Sequence, residues 1–366
     1  MPITYYECRI KLVICCLLAL LSGWQPAAWG TGLHPGQTVY AGLQSMHAEE
    51  AGHPFQNSRY VIIDGVELHF RFWPVAAGNY RGSCLLLHGF SGSTYSWEKV
   101  AGQMQSMGFE VVAVDIPPFG FSDKSPRVNQ GITPRARLMH QLLEQIFPGR
   151  TWHVAGHSMG GAVAQGMALM YPESLQSVTF VAGALFSQVR VEGTLQTGDP
   201  SLLHKPDSAT HAPSQATSVD FSRGAGILTA WPVRNIAGRL AGTFFITPKR
   251  VRGLLESAYG EPPNREQVEA YMAPLKTRGT ATAILAGRRN STEIASLHAA
   301  DLNVPALAVW GSEDTWVPME SRRHVIGMMP GIRTFIIEGA GHNPMETHSE
   351  VFLDQWTGFI RSHSGF

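Results

Sequence analysis

The chain has 366 residues, 44% hydrophobic and 15% charged, enough apolar material for a sizeable core and too little charge for a disordered or coiled-coil chain. Lys plus Arg equals Asp plus Glu at 28 each, so no net field draws the molecule towards nucleic acid or an anionic surface. That balance leaves a small, weakly charged molecule as the expected partner and excludes a nucleic-acid binder.

In chain order, residues 1–30 come first. Arg9 and Lys11 precede an apolar run over 12–21, followed by Ser22, Gly23, Pro26 and the small residues Ala27, Ala28 and Gly30. This is the pattern of a secretory signal peptide, and the run is shorter than the roughly 20 residues of a spanning helix. Export to a periplasm or the outside is expected, with an uncleaved, membrane-associated N-terminus as the alternative. Cys8, Cys15 and Cys16 fall in this segment, which leaves Cys84 without a disulfide partner downstream.

Residues 31–58, rich in Gly, His, Pro and Ala, read as an N-terminal arm. Two β-rich runs, 59–63 and 66–73, are joined by Asp64-Gly65, a hairpin signal because both turn positions require positive φ. Buried strands are then predicted over 83–87, 110–115, 151–155, 177–182, 306–310 and 333–338. Helical patterns over 94–107, 133–147, 159–171, 319–329 and 345–360 separate most of them. Alternation of this kind predicts an α/β fold, a mostly parallel sheet with helices on both faces. Between 183 and 303 the rhythm stops for about 120 residues, far more than a strand connection needs. Its first part, 188–226, reads as irregular, and helices are predicted over 227–245, 248–259 and 264–285. The expected organisation is a core over 59–186, a cap or lid inserted over 187–302, and the rest of the core over 303–366.

The strongest chemical signal is Gly156-His157-Ser158-Met159-Gly160, placed between a predicted strand and a predicted helix. In this G-x-S-x-G elbow the serine sits on a sharp turn above the sheet, and the glycines remove side chains that would collide with neighbouring backbone. A serine hydroxyl needs a positioned base, itself oriented by a carboxylate. His342, in Gly339-Ala-Gly-His-Asn-Pro344 after the last predicted strand, is the expected base, with His348 as the weaker alternative on the final helix. Asp314, after the strand over 306–310, is the expected acid, and its neighbour Glu313 the alternative. Backbone N–H groups of Phe90, in the turn His88-Gly89-Phe90-Ser91-Gly92, and of Met159 are expected to form an oxyanion hole. Phosphate-loop, dinucleotide and zinc motifs are absent from the sequence, so no cofactor or metal is implied.

Taken in order, His88-Gly89-Phe90, the stretch from Asp115 to Asp123, the Ser158 elbow, Asp314 and His342 resemble the α/β-hydrolase-fold enzymes. The resemblance runs from about Arg59 to the C-terminus and departs at Pro118, where the family usually has glycine. It implies an eight-stranded, mostly parallel sheet, a helical cap, and a serine esterase or lipase with a Ser-His-Asp triad acting through an acyl-enzyme. Family members with an elbow aspartate (haloalkane dehalogenases, epoxide hydrolases) or cysteine (dienelactone hydrolases) differ at Ser158. Carbon-carbon bond hydrolases of the fold keep the serine but generally follow the histidine with tryptophan, where this chain has Asn343. They remain the alternative, together with a hydrolase-fold ligand-binding protein of little turnover.

Overall fold

A computed structural model of the chain describes residues 54–125, 127–189, 246–290 and 296–363. Strands β1 (Ser58–Ile63) and β2 (Val66–Trp73) form the expected antiparallel hairpin. Its turn has φ of 48° at Asp64 and 77° at Gly65, the conformation that the Asp-Gly pair favours. β3 (Gly82–Leu87), β4 (Phe109–Val114), β5 (Trp152–His157) and β6 (Leu175–Val181) follow. β7 (Gln188–Val189) and β8 (Leu297–His298) pair antiparallel with each other, and β9 (Ala306–Gly311) and β10 (Arg333–Ile337) complete the set.

The main sheet has eight strands in the order β1-β2-β4-β3-β5-β6-β9-β10, parallel from β4 to β10. Every residue of β3, β4, β5 and β9 is buried, as continuous apolar runs in a sheet covered on both faces should be. The edge strand β10 is mostly exposed.

Helices α1 (Glu98–Ser106), α2 (Ile132–Ile146) and α3 (Met159–Met170) lie between the first strands. Those of the inserted stretch are α4 (Pro248–Tyr259), α5 (Arg265–Leu275) and α6 (Thr280–Asn290). The last are α7 (Arg323–Met328), α8 (Pro344–Thr347) and α9 (Ser349–Arg361). On α9 the buried Phe352, Leu353, Trp356, Phe359 and Ile360 recur at helical spacing and join Trp97, Val100 and Met104 in one core cluster with β3 and β4. α2 and α3 pack on each other, with Gly166 beside Ala136 and Ile132.

Some boundaries differ from those expected. The helix expected over 94–107 opens as a 3-10 turn, Thr94–Trp97, and that over 319–329 as Met319–Arg322. The helix expected over 264–285 is two, because Pro274 removes a donor and Gly279 takes φ 96°. The final helix is likewise divided, with His348 at the junction (φ −123°, ψ 44°) rather than inside it. The expected signal peptide, most of the arm, most of the irregular stretch over 188–226 and the helix expected over 227–245 lie outside the described residues. Among the described residues no helix is long and apolar enough to cross a membrane.

Candidate active site

β3 and β5 are hydrogen-bonded neighbours, with Leu87 opposite Gly156, so the turns that follow them emerge side by side at the carboxyl edge of the sheet. After β5, Ser158 takes φ 50° and ψ −116°, and α3 begins at the next residue. A non-glycine residue held there costs about 1–3 kcal/mol and persists only where its surroundings over-determine it. They do: Ser158 N donates to Val181 O, and Ser158 O accepts from Gly161 N and Ala184 N, each at 2.9 Å. The flanking glycines are needed for space, since a Cβ on Gly156 would stand 2.2 Å from Gly160 O and one on Gly160 2.4 Å from Leu87 O.

The turn after β3 passes directly over this elbow. A Cβ on Gly89 would stand 3.1 Å from Ser158 Cβ. Phe90 follows Gly89 in this turn and Met159 follows Ser158 at the start of α3, and neither N–H has an acceptor among the described contacts. His88 braces the turn. Its Nε2 accepts from Ile116 N at 2.8 Å, so the proton sits on Nδ1, which donates to Gly89 O at 2.7 Å. Burial holds this imidazole below its ordinary range, which keeps it neutral.

Asp314 lies just beyond β9. Its Oδ1 accepts from Trp316 N at 2.9 Å and Val317 N at 3.0 Å, while Oδ2 accepts from His342 Nδ1 at 2.8 Å. Both members of the pair are buried. Glu313 is exposed and does not join them. The His342 ring lies between the His157 ring, 4.8 Å away, and the stacked Trp316 indole at 5.6 Å. Its main chain is held at both ends: His157 Nε2 donates to His342 O at 2.9 Å, and His342 N donates to Ala258 O at 2.6 Å. Burial, and then the nearby His342, push His157 well below the usual imidazole range. With Nδ1 committed to Asp314, Nε2 is the nitrogen of His342 left for proton transfer. No Ser158–His342 hydrogen bond is formed among the described contacts, and such contacts commonly tighten only around substrate. His348, half-buried, bonds Thr347 Oγ1 instead.

A second Ser-His-Asp chain shows why connectivity is not enough. Ser58 Oγ and His69 Nε2 are hydrogen-bonded at 2.8 Å, and His69 Nδ1 donates to Asp115 Oδ2 at 2.7 Å. All three residues are 0% exposed, so no substrate reaches them. Asp115 also accepts from Thr94 N and Phe121 N. Burial raises its carboxyl, but the His69 charge and these bonds outweigh that and hold it below the usual range. The chain ties the hairpin to the 115–123 loop.

Sequence reasoning assembled Ser158, Asp314, His342, Phe90 and Met159, and the structure gathers these residues at one edge of the sheet. It did not find His157 bonded to the His342 carbonyl, Trp316 against the imidazole, or the contacts that Ala258 and Glu346 make with the histidine loop. The one available signal was position: His157 fills the second place of the elbow motif, and Glu346 is the acid nearest after His342. Among the described residues no group of His, Cys, Asp and Glu is arranged to hold a metal ion.

The family model for the alpha/beta hydrolase fold matches residues 84–349, and the chain belongs to that family. It is 25% identical over 319 residues to a 2-hydroxy-6-oxononadienedioate/2-hydroxy-6-oxononatrienedioate hydrolase of Burkholderia vietnamiensis, covering 86% of this chain and 98% of that one. It is 23% identical over 287 residues to Lipase 1 of Psychrobacter immobilis, covering 77% of this chain and 78% of that one. In fold it is similar to the crystal structure of a bacterial membrane phospholipase A, with TM-score 0.58, 19% identity, and 98% and 99% of the two chains covered.

Proposed function

We propose that the chain is a serine hydrolase that cleaves a carboxylic ester through an acyl-enzyme, with Ser158 as nucleophile, His342 as base and Asp314 as the carboxylate that orients it. The observation that carries this reading is the strained Ser158 elbow beside a buried His342–Asp314 pair bonded at 2.8 Å. His342 Nε2 takes the hydroxyl proton as Ser158 Oγ bonds to the carbonyl carbon. The Phe90 and Met159 N–H groups receive the developing oxyanion. Collapse breaks the ester C–O bond, and the imidazolium gives its proton to the leaving alkoxide. Water, deprotonated by His342, then attacks the acyl carbon; collapse breaks its bond to Ser158 Oγ, which takes the proton back from the imidazolium as the acid leaves. The lipase among the relatives supports ester cleavage. We further propose that residues 1–30 export the protein and that its substrate is a small ester-like molecule.

A second reading is carbon-carbon bond hydrolysis by the same triad, favoured by the similarity to the oxononadienedioate hydrolase. A fluorophosphonate probe should label Ser158 and not the Ser158→Ala variant, and that variant should lose turnover by several orders of magnitude. Comparing nitrophenyl esters with vinylogous diketones separates the two readings. Unlabelled wild-type protein, or ester hydrolysis retained in Ser158→Ala, refutes the nucleophile.

A further inference from the structure

Glu346 is a buried carboxylate that the proposed reaction does not use. It sits on α8, just past His342, and is 4% exposed. Three donors converge on it: Tyr259 OH at 2.8 Å, Tyr271 OH at 2.5 Å and Asn343 Nδ2 at 2.7 Å. Tyr259 ends α4 and Tyr271 lies on α5, so one core carboxylate holds two helices of the inserted stretch. Ser96 Oγ, from the core, reaches the Tyr271 hydroxyl at 3.0 Å.

The same junction carries His342. Its N–H donates to Ala258 O, the residue before Tyr259, and a Cβ on Gly341 would stand 2.5 Å from that oxygen. The end of α4 therefore rests directly on the backbone of the histidine. Displacement of α4 away from the loop breaks the His342 N–H contact, leaving the His342 main chain with the His157 bond to its carbonyl and the side chain with Asp314.

We propose that Glu346 is a positioning residue: its carboxyl group latches α4 and α5 onto the loop of His342 and thereby holds the imidazole at its working height over Ser158. This rests on the reading of His342 as the base. The titratable groups facing Glu346 are Tyr259 and Tyr271 from the inserted helices, Lys99 of α1, whose Nζ donates to Glu346 O, and Tyr95 from the turn before it. Burial lifts the Glu346 carboxyl from its ordinary value of 4.5 to about 7, against the opposing pull of the tyrosine and Asn343 hydrogen bonds and the Lys99 charge. In the protonated form its O–H donates to Tyr271 Oη while that hydroxyl turns its own hydrogen to Ser96. Docking is thus coupled to proton uptake. The latch is tightest below 4.5, weakens as pH rises, and levels off above about 7.

The test is hydrogen exchange at the His342 amide, which reads docking without requiring turnover, with the Leu86 amide of the central strand as a control for global unfolding. In wild type the His342 protection factor should fall by roughly 10-fold or more between about pH 5 and 7 and then stay level. Glu346→Gln, neutral and of the same shape, should keep the acidic value of His342 protection at every pH. Tyr271→Phe removes one hydroxyl without emptying the core. It should lower protection at every pH and lower kcat by roughly 10-fold with Leu86 protection intact. The same pH dependence in wild type and Glu346→Gln, or wild-type protection in Tyr271→Phe, overturns the proposal. Repeating the exchange in Ser158→Ala keeps the two ideas apart. If the wild-type protein turns over no ester but the exchange pattern holds, the latch stands and the base assignment falls. If Ser158 is labelled while the exchange is pH-independent, the latch alone falls.

Discussion

Replacing Asp314 by asparagine tests how the base is oriented, because the aspartate does two jobs with two oxygens. Oδ1 accepts from the N–H groups of Trp316 and Val317, and Oδ2 accepts from His342 Nδ1. An asparagine that keeps its oxygen on the two backbone donors presents its NH2 to Nδ1. The imidazole then carries its proton on Nε2, the nitrogen that receives the serine proton in the proposed mechanism. The flipped amide restores the productive tautomer but loses two hydrogen bonds, at about 0.5–1.5 kcal/mol each. Losing the charge beside the imidazolium costs a further 1.5–3 kcal/mol or so, the value of a hydrogen bond to a charged group. Together these raise the barrier by about 2.5–6 kcal/mol, a loss of roughly 70- to 25,000-fold in kcat. Glu313→Gln, at an exposed side chain, should change kcat by less than about twofold. The assay is steady-state hydrolysis of a short-chain nitrophenyl ester, with circular dichroism to show that both variants fold. A loss below about 10-fold in Asp314→Asn, or an equal loss in Glu313→Gln, refutes the pairing of Asp314 with the base.

Other outcomes follow from the packing and from buried imidazoles. Gly160→Ala puts a Cβ 2.4 Å from Leu87 O and 2.6 Å from His88 O, so it should push the elbow off the turn that follows β3. The expected cost is about 1–3 kcal/mol, read as a lower urea midpoint together with reduced ester turnover; an unchanged midpoint contradicts the close approach. Burial, reinforced by the His363 charge, pushes His153 down to about 4, so the folded protein refuses a proton that the unfolded chain accepts. Stability should therefore fall as pH drops from 6.5 towards 4, and His153→Asn should flatten this slope in Tm. A slope identical to wild type rules out His153 as its source.

Much of the fold was legible because its signals are local. The Asp64-Gly65 turn, the apolar runs of the central strands and the glycines around Ser158 act through φ preference, burial and contact with near neighbours, all written within a few residues. Helix ends were less legible. Residues 94–97 begin as a 3-10 turn, and the final helix breaks at His348, where tertiary contacts rather than propensity set the boundary.

The candidate site divides in the same way. Ser158, Asp314 and His342 could be named as candidates from sequence because each sits in a recognisable turn at the end of a strand. The fully bonded Ser-His-Asp chain in this protein is the dry one at Ser58, His69 and Asp115, whereas at the sheet edge the bonded pair is His342 and Asp314, with Ser158 on the neighbouring turn. The supports of His342 come from 185 residues upstream, at His157, and from Ala258 on an inserted helix. No local pattern encodes such contacts. They exist because the strand order sets β5, β6, β9 and β10 side by side, so that turns distant in sequence open on the same edge of the sheet. Glu346 is legible in sequence only as an acid after a histidine; its role depends on two tyrosines brought to it by helices α4 and α5, and that convergence is decided by the tertiary structure alone.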